Sequence, residues 1–359
     1  MAQTRKGGTM KKSRTALALG GGGARGLAHI GVLKVLEREG IPIGSILGTS
    51  MGALVGAAYA VEPDAVALEK RVLEFFANES AQNSGFKRLD KLHPFNPEKT
   101  DFMHRIVRIA EKHLFLSLAI LRKALVSEDE MQRLLKVFLP DIDIGDTRVP
   151  YAATAVDLVS GREVILDRGP LIQAIMASCA VPGFMPPVRW GNMILVDGAV
   201  INPLPAGPAK NRGAEIVIGV DVGTCLCNAP PIEDGIDAIN RSMDIMEFYL
   251  NRQGRECVDI LIEPEVEQNA WTDFLKYKEL IREGEKAAAA KIDEIRVMLD
   301  NRFRKKVYQG VIKMLPGIKG QWNKDDSSGR VRNWRSPKQG RPEMEEGRAV
   351  SLQTQPVSS

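Results

Sequence analysis

The chain has 359 residues, of which 44% are hydrophobic, and a formal net charge of +4. That is enough apolar material for one large domain or two ordinary ones, and it excludes a wholly disordered chain. The charge is too small to point to nucleic acid, and it is compatible with an anionic lipid surface.

Residues 1–14 form a basic extension, and the apolar stretch behind it, "ALAL", is too short for a signal core. Thr15 to Leu19 reads as a buried strand that runs into four consecutive glycines, Gly20 to Gly23. Ala24 to Glu39 carries Leu27, Ile30, Leu33 and Leu36 at helical spacing, with Gly40 as its C-cap. "IPIGSILGTSMGALVGAAYA" gives a second strand, a sharp turn over Gly48 to Gly52 and a helix of small residues. Two strand–loop–helix units in succession predict parallel α/β winding.

From about residue 62 to 146 the pattern is helical, with Pro and polar breaks and no strand signal, and it is read as an insertion over one face of the sheet. "HLFLSLAIL" (113–121) is the longest apolar run and covers about half of what a membrane span needs. Two hairpins follow, turning at Ser160-Gly161 and at Gly191-Asn192, the second strand of the latter ending at Asp197. "AEIVIGVDVG" is a central buried strand, and "VDILIEPEVE" is a further strand between helical patterns over 236–257 and 271–299. The domain is therefore set at 15–300, followed by an extension over 301–359 whose Gly, Ser, Arg, Pro and Glu content predicts disorder after about residue 317.

Cys225-x-Cys227 has no second pair and no downstream His, which argues against zinc. With Cys179 and Cys257, these residues are read as reduced thiols of a cytosolic protein.

Gly48-Thr49-Ser50-Met51-Gly52 matches G-x-S-x-G, and it has the strand before it and the helix after it that a nucleophile elbow needs. The helix N-terminus adds positive potential beside the serine oxygen. A serine needs a base. The four histidines are His29, His93, His104 and His113; none follows a strand, and none lies late enough for a Ser–Asp–His order. The base is then a carboxylate at a strand end, and Asp197, Asp157 and Asp221 are the candidates. Asp197 stands before Gly198-Ala199, a pairing that is also a common turn.

The glycine run at a helix start exposes successive N–H groups, which suits either a phosphate or an oxyanion. No Gly-Lys-Ser/Thr ending follows, so a Walker A loop is excluded. The loose G-x-G-x-x-G over Gly21 to Gly26 lacks the acidic strand end of a dinucleotide fold. An oxyanion site makes one centre from both glycine loops.

"GGGARG", "GTSMG" and "DGA" in this order resemble the patatin-like phospholipase family, and within it the bacterial branch similar to neuropathy-target-esterase catalytic domains. "GLAHIGVLKVLEREG", "ATAVDLVSGREVIL", "MASCAVPGFMPPV" and "YKELIREGEKAA" extend the resemblance over roughly residues 15–295. It implies a three-layer α/β/α sandwich with a mostly parallel central sheet. It implies Ser50 as nucleophile and Asp197 as base, with Gly48 and Gly52 shaping the elbow. It implies an oxyanion hole of Gly21, Gly22 and Gly23 with Arg25 nearby, and a motif after the base of Gly198 and Ala199, where many members carry a second Gly. Pro182 and Pro186 constrain a turn near the site.

The implied reaction is hydrolysis of fatty acyl esters of phospholipids or lysophospholipids, with no metal or cofactor. The implied partner is a lipid substrate rather than nucleic acid, met in the cytoplasm or at the inner face of the membrane. "HLFLSLAILRKALV" either packs on the core or docks on a bilayer with Arg122 and Lys123 at anionic headgroups. The rival reading is a patatin-fold regulatory or scaffold protein with little turnover.

Overall fold

A computed structural model describes residues 14–77, 126–226, 232–233 and 235–314. The chain divides into two units, residues 1–300 and 301–359. His93, His104, His113, the segment 113–125, the basic extension through residue 13 and the tail beyond 314 lie outside the described residues.

The first unit is built on an eight-stranded sheet. Its strands are β1 (Thr15–Leu19), β2 (Ser45–Gly48), β3 (Tyr151–Asp157), β4 (Arg162–Leu166), β5 (Val188–Trp190), β6 (Met193–Asp197), β7 (Ile216–Val220) and β8 (Ile260–Ile262). The order is β5-β6-β3-β2-β1-β7-β8, with β4 paired to β3. The run β3-β2-β1-β7-β8 is parallel. β4, β5 and β6 form antiparallel hairpins on the β3 side. Both hairpin turns fall where the Gly161 and Gly191 signals put them, with φ of 68° and 58°.

The helices are α1 (Ala28–Arg38), α2 (Met51–Val61), α3 (Ala65–Ala77), α4 (Glu128–Phe138), α5 (Leu171–Ser178), α6 (Ala206–Asn211), α7 (Gly235–Arg255), α8 (Tyr277–Ala289) and α9 (Ile292–Met314). Strand alternation sorts the two sheet faces. Leu17 and Leu19 of β1 join the large core that holds α1, α2, α5 and α8. Ala16 and Ala18 face the other way, with Leu204 and with Ala206 and Ala209 of α6. Helices on both faces of a mostly parallel sheet make the α/β sandwich expected from the sequence.

Two details differ from what the sequence predicts. The pattern over 271–299 is two helices with a break at Ala290-Lys291, and α9 runs on to Met314. Cys225 is disulfide-bonded, so the expectation of reduced thiols fails there, while Cys179 and Cys257 are free.

The connectivity already selects a place for a site. From β1 the chain moves to β2 and β3 on one side and later returns to β7 and β8 on the other. β1 is the switch point, and open α/β sheets bind ligands beyond the C-terminal ends of such strands. The glycine loop leaves that end of β1, and the serine turn leaves the same end of β2, with Leu19 paired to Gly48.

Candidate functional site

Ser50 follows β2 by two residues and caps α2 at φ 54° and ψ −123°; among the described residues it is the one non-glycine with positive φ. Such a backbone costs energy and persists only when its surroundings impose it. Here they do. The Ser50 N–H donates to the buried Ser178 hydroxyl at 3.0 Å. Thr49 N–H donates to the Leu19 carbonyl at 3.0 Å, and the Thr49 hydroxyl meets Thr154 at 2.7 Å and donates to the Asn202 carbonyl at 3.0 Å. A Cβ on Gly52 would collide with the Leu19 carbonyl, so only glycine lets α2 start this close to β1.

Sheet register delivers Asp197 to the same place. Gly48 pairs with Ala153 of β3, and Ala155, two residues on, pairs with Asp197. β3 thus sets Asp197 level with Ser50, two residues beyond Gly48. Gly198 is seated against Thr154, where a Cβ would overlap the threonine hydroxyl. Ala199 N–H donates to Asp197 Oδ1 at 2.9 Å. The Ser50 hydroxyl lies beside the Asp197 carboxylate and favours its charged form.

Both residues are buried, Ser50 to 8% and Asp197 to 3% exposure. Burial pushes the Asp197 carboxyl up to about 7, against the lowering effect of the Ser50 hydroxyl and the Ala199 N–H, and the nearby Glu247 charge adds to the rise. A carboxylate so raised is a far better proton acceptor than an exposed one.

The competing carboxylates are occupied otherwise. Asp157 accepts from Ser160 Oγ at 2.7 Å and from the N–H groups of Val159, Ser160 and Ile194, which hold it below the usual carboxylate range. It closes the first hairpin. Asp221 binds Arg255, Asn251 and the Gly223 N–H, tying α7 to the end of β7. Among the described residues no group of three His, Cys, Asp or Glu could hold a metal.

The glycine loop is only partly open. Gly20 N–H donates to Val220 O at 3.0 Å, and Gly21 N–H to Pro203 O at 2.9 Å. The expectation of Gly21 as an oxyanion donor is therefore corrected: its N–H is used within the fold. Its Cα side faces the elbow: a Cβ there would lie in van der Waals contact with Ser50 Cβ, at 3.4 Å. The N–H groups of Gly22 and Gly23 have no backbone acceptor among the described residues, and neither has that of Met51.

Arg25 is also placed differently from the expectation. Its Nε donates to the Gly22 carbonyl at 3.3 Å, and its guanidinium lies 3.9 Å from Glu247 of α7. Arg25 N–H reaches the same Gly22 carbonyl at 3.2 Å. In a trans peptide the N–H points opposite to the C=O, so holding this carbonyl aims the Gly23 N–H the other way. Arg25 braces the loop through its carbonyl.

Sequence reasoning missed three participants. Ser178 lies inside "SCAVPGF", where the proline is the visible local signal, and its role needs the tertiary meeting of α5 with the start of α2. The same segment holds Asp197, whose N–H donates to Ala180 O at 3.1 Å. Met51 was legible in principle, since the residue after an elbow nucleophile usually supplies a donor. Glu247 had no local signal.

An apolar cavity opens beside the elbow. Met51, Leu54 and Val55 of α2 line it together with Leu27, Ile30 and Phe76, and every lining side chain is apolar.

The patatin-like phospholipase family model matches residues 17–210, a span holding the glycine loop, the elbow and Asp197. An NTE family protein of Mycobacterium tuberculosis is 31% identical over 211 residues, covering 58% of this chain and 49% of that protein. Patatin-like phospholipase domain-containing protein 6 of Homo sapiens is 31% identical over 212 residues, 58% of this chain and 13% of that protein. The chain thus spans about half the length of the first relative and far less of the second. The solved structure of VipD from Legionella pneumophila is similar with a TM-score of 0.44 at 14% identity, covering 78% of this chain and 66% of that one. With over half of its residues matched to the family model, this chain belongs to the patatin-like phospholipase family.

Proposed function

We propose that the protein is a serine hydrolase of fatty acyl esters, acting on phospholipids or lysophospholipids through Ser50 and Asp197. The observation that carries the reading is the pairing of a strained, buried serine at a helix N-terminus with a carboxyl raised to about 7. Ser50 Oγ attacks the ester carbonyl as its proton passes to Asp197. The N–H groups of Gly22, Gly23 and Met51 take the charge that develops on the carbonyl oxygen. Collapse breaks the ester C–O bond, and Asp197 returns the proton to the leaving alkoxide. Water then attacks the acyl carbon, giving up a proton to Asp197, and collapse breaks the bond from the acyl carbon to Ser50 Oγ, Asp197 returning the proton to Ser50 as the fatty acid leaves.

The lipid part rests on the cavity. An acyl chain bound through its carbonyl at Ser50 has Met51 next to it and an all-apolar lining beyond, with no polar group left to desolvate. The site works on a lipid presented by a membrane or micelle, and no helix among the described residues is long and apolar enough to cross a bilayer. The test is product analysis by mass spectrometry on mixed phospholipids, lysophospholipids and glycerides, wild type beside Ser50→Ala. Release of free fatty acid by the wild type alone is expected. Equal release by both proteins, or none by the wild type, overturns the reading.

A further inference from the structure

His29 lies inside α1, fully buried at 0% exposure, and is used by no step above. Its Nε2 is 2.8 Å from the Gly20 carbonyl oxygen. A carbonyl only accepts, so Nε2 carries the proton and donates. Nδ1 is then a bare acceptor, and it has no hydrogen-bond partner. Burial holds the ring neutral, with its pKa lowered to about 4. A buried, half-satisfied imidazole is a costly way to fill space, since an apolar ring would leave no orphan nitrogen. The bond to Gly20 is what the imidazole adds.

That bond acts on one peptide plane. The Gly20 carbonyl points to His29 while the Gly21 N–H of the same peptide points to Pro203 O at 2.9 Å. The plane is held at both ends. Two residues on, Arg25 holds the Gly22 carbonyl and so the Gly22–Gly23 plane. Glycines resist rotation less than any other residue, so a loop of four would turn its N–H groups to the nearest acceptor without such anchors.

We infer that His29 is a positioning residue: its Nε2–H grips the Gly20 carbonyl, fixes the first peptide of the glycine loop and thereby aims the free N–H groups of Gly22 and Gly23 at the oxyanion. It is neither the base nor a substrate ligand. The inference rests on the reading of those two N–H groups as oxyanion donors.

The experiment compares His29→Phe, which keeps a ring and removes the donor, with His29→Gln, whose amide nitrogen can stand in for Nε2. Steady-state kinetics use a soluble short-chain ester beside Ser50→Ala, with circular dichroism and Tm as fold controls. His29→Phe is expected to lower kcat by about 10- to 100-fold with KM within about threefold, because the loss falls on the transition state. His29→Gln is expected to recover most of that loss. A folded His29→Phe with wild-type kcat, or a folded His29→Gln as impaired as a folded His29→Phe, overturns the inference. If His29→Phe does not fold, a long-range 1H–15N spectrum of the wild type decides instead. There the Nε2–H tautomer is expected for His29, and the Nδ1–H tautomer overturns the inference. A Ser50→Ala protein with normal turnover would instead overturn the proposed hydrolase itself, whatever His29 does.

Discussion

The two junctions that leave β1 and β2 are both rich in glycine, yet they are held in opposite ways. At the elbow the side chain is what matters, and the backbone is forced: Ser50 sits at φ 54° because Ser178, Leu19 and Asn202 leave it no other course. At the loop the backbone is what matters, and the side-chain anchors take its carbonyls: His29 holds Gly20, and Arg25 holds Gly22. In the proposed reading, one junction stores strain to present an oxygen. In the same reading, the other is stripped of side chains so that N–H groups can come close to the substrate. Glycine alone distinguishes neither; the hydrogen bonds around it do.

The contrast is most vulnerable at the elbow. Ser50→Ala should cost at least about 10⁴-fold in kcat on a soluble ester, since nucleophile and base act as a unit. Its Tm should change little, because alanine meets the same backbone strain. Asp197→Asn should lose nearly as much, and the double variant little more, as single and double kinetics would show. Asp197→Asn also has a stability signature. The native carboxyl, with a pKa of about 7, keeps a proton that the unfolded chain releases near pH 4, so burying Asp197 makes the fold less stable as pH rises across that window. The Tm of Asp197→Asn relative to wild type should therefore rise from pH 4 to above 7.

The loop gives a smaller effect. A Cβ on Gly22 would lie 2.6 Å from Val222 O, so Gly22→Ala must displace the donors. A fall in kcat of about 10²-fold with little change in KM is expected, measured on the same ester. The smallest effect is at the brace. Ser178→Ala leaves the Ser50 N–H buried without its acceptor, a cost of about 1–3 kcal/mol in denaturant unfolding. Its kcat should fall about tenfold, the scale of a relaxed rather than absent nucleophile. If Ser178→Ala matched Ser50→Ala in kcat, the elbow would depend on Ser178 for more than its shape.

What could be read from the sequence follows from range. The glycine loop, the elbow and both hairpins are local patterns, and their strand and helix flanks give them away, as "SILGTSMGALVG" does. From the residues alone the choice among Asp197, Asp157 and Asp221 stayed open and rested on the resemblance at "DGA"; the register of β3 with β2 and β6 adds the physical reason that Asp197 reaches the elbow. The occupied N–H of Gly21 could not be foreseen, because its acceptor is Pro203, 182 positions away in the chain. His29 looked like an ordinary helical residue for the same reason: nothing local says that its ring turns back to Gly20. The break at Ala290-Lys291 was hidden by continuous helical periodicity on both sides of it.

The absence of an imidazole from the chemistry is the claim most worth attacking. A carboxyl raised to about 7 would mimic a histidine in any pH–rate curve, so the curve alone decides little. The decisive measurement is the pH dependence of fluorophosphonate labelling, with the labelled residue read by mass spectrometry, in wild type and Asp197→Asn. A Ser–Asp dyad requires label on Ser50, a rate that climbs through about pH 7 in the wild type, and a slow rate without that climb in Asp197→Asn. Label on another serine, or an Asp197→Asn protein that labels at the wild-type rate with the same pH dependence, is incompatible with it.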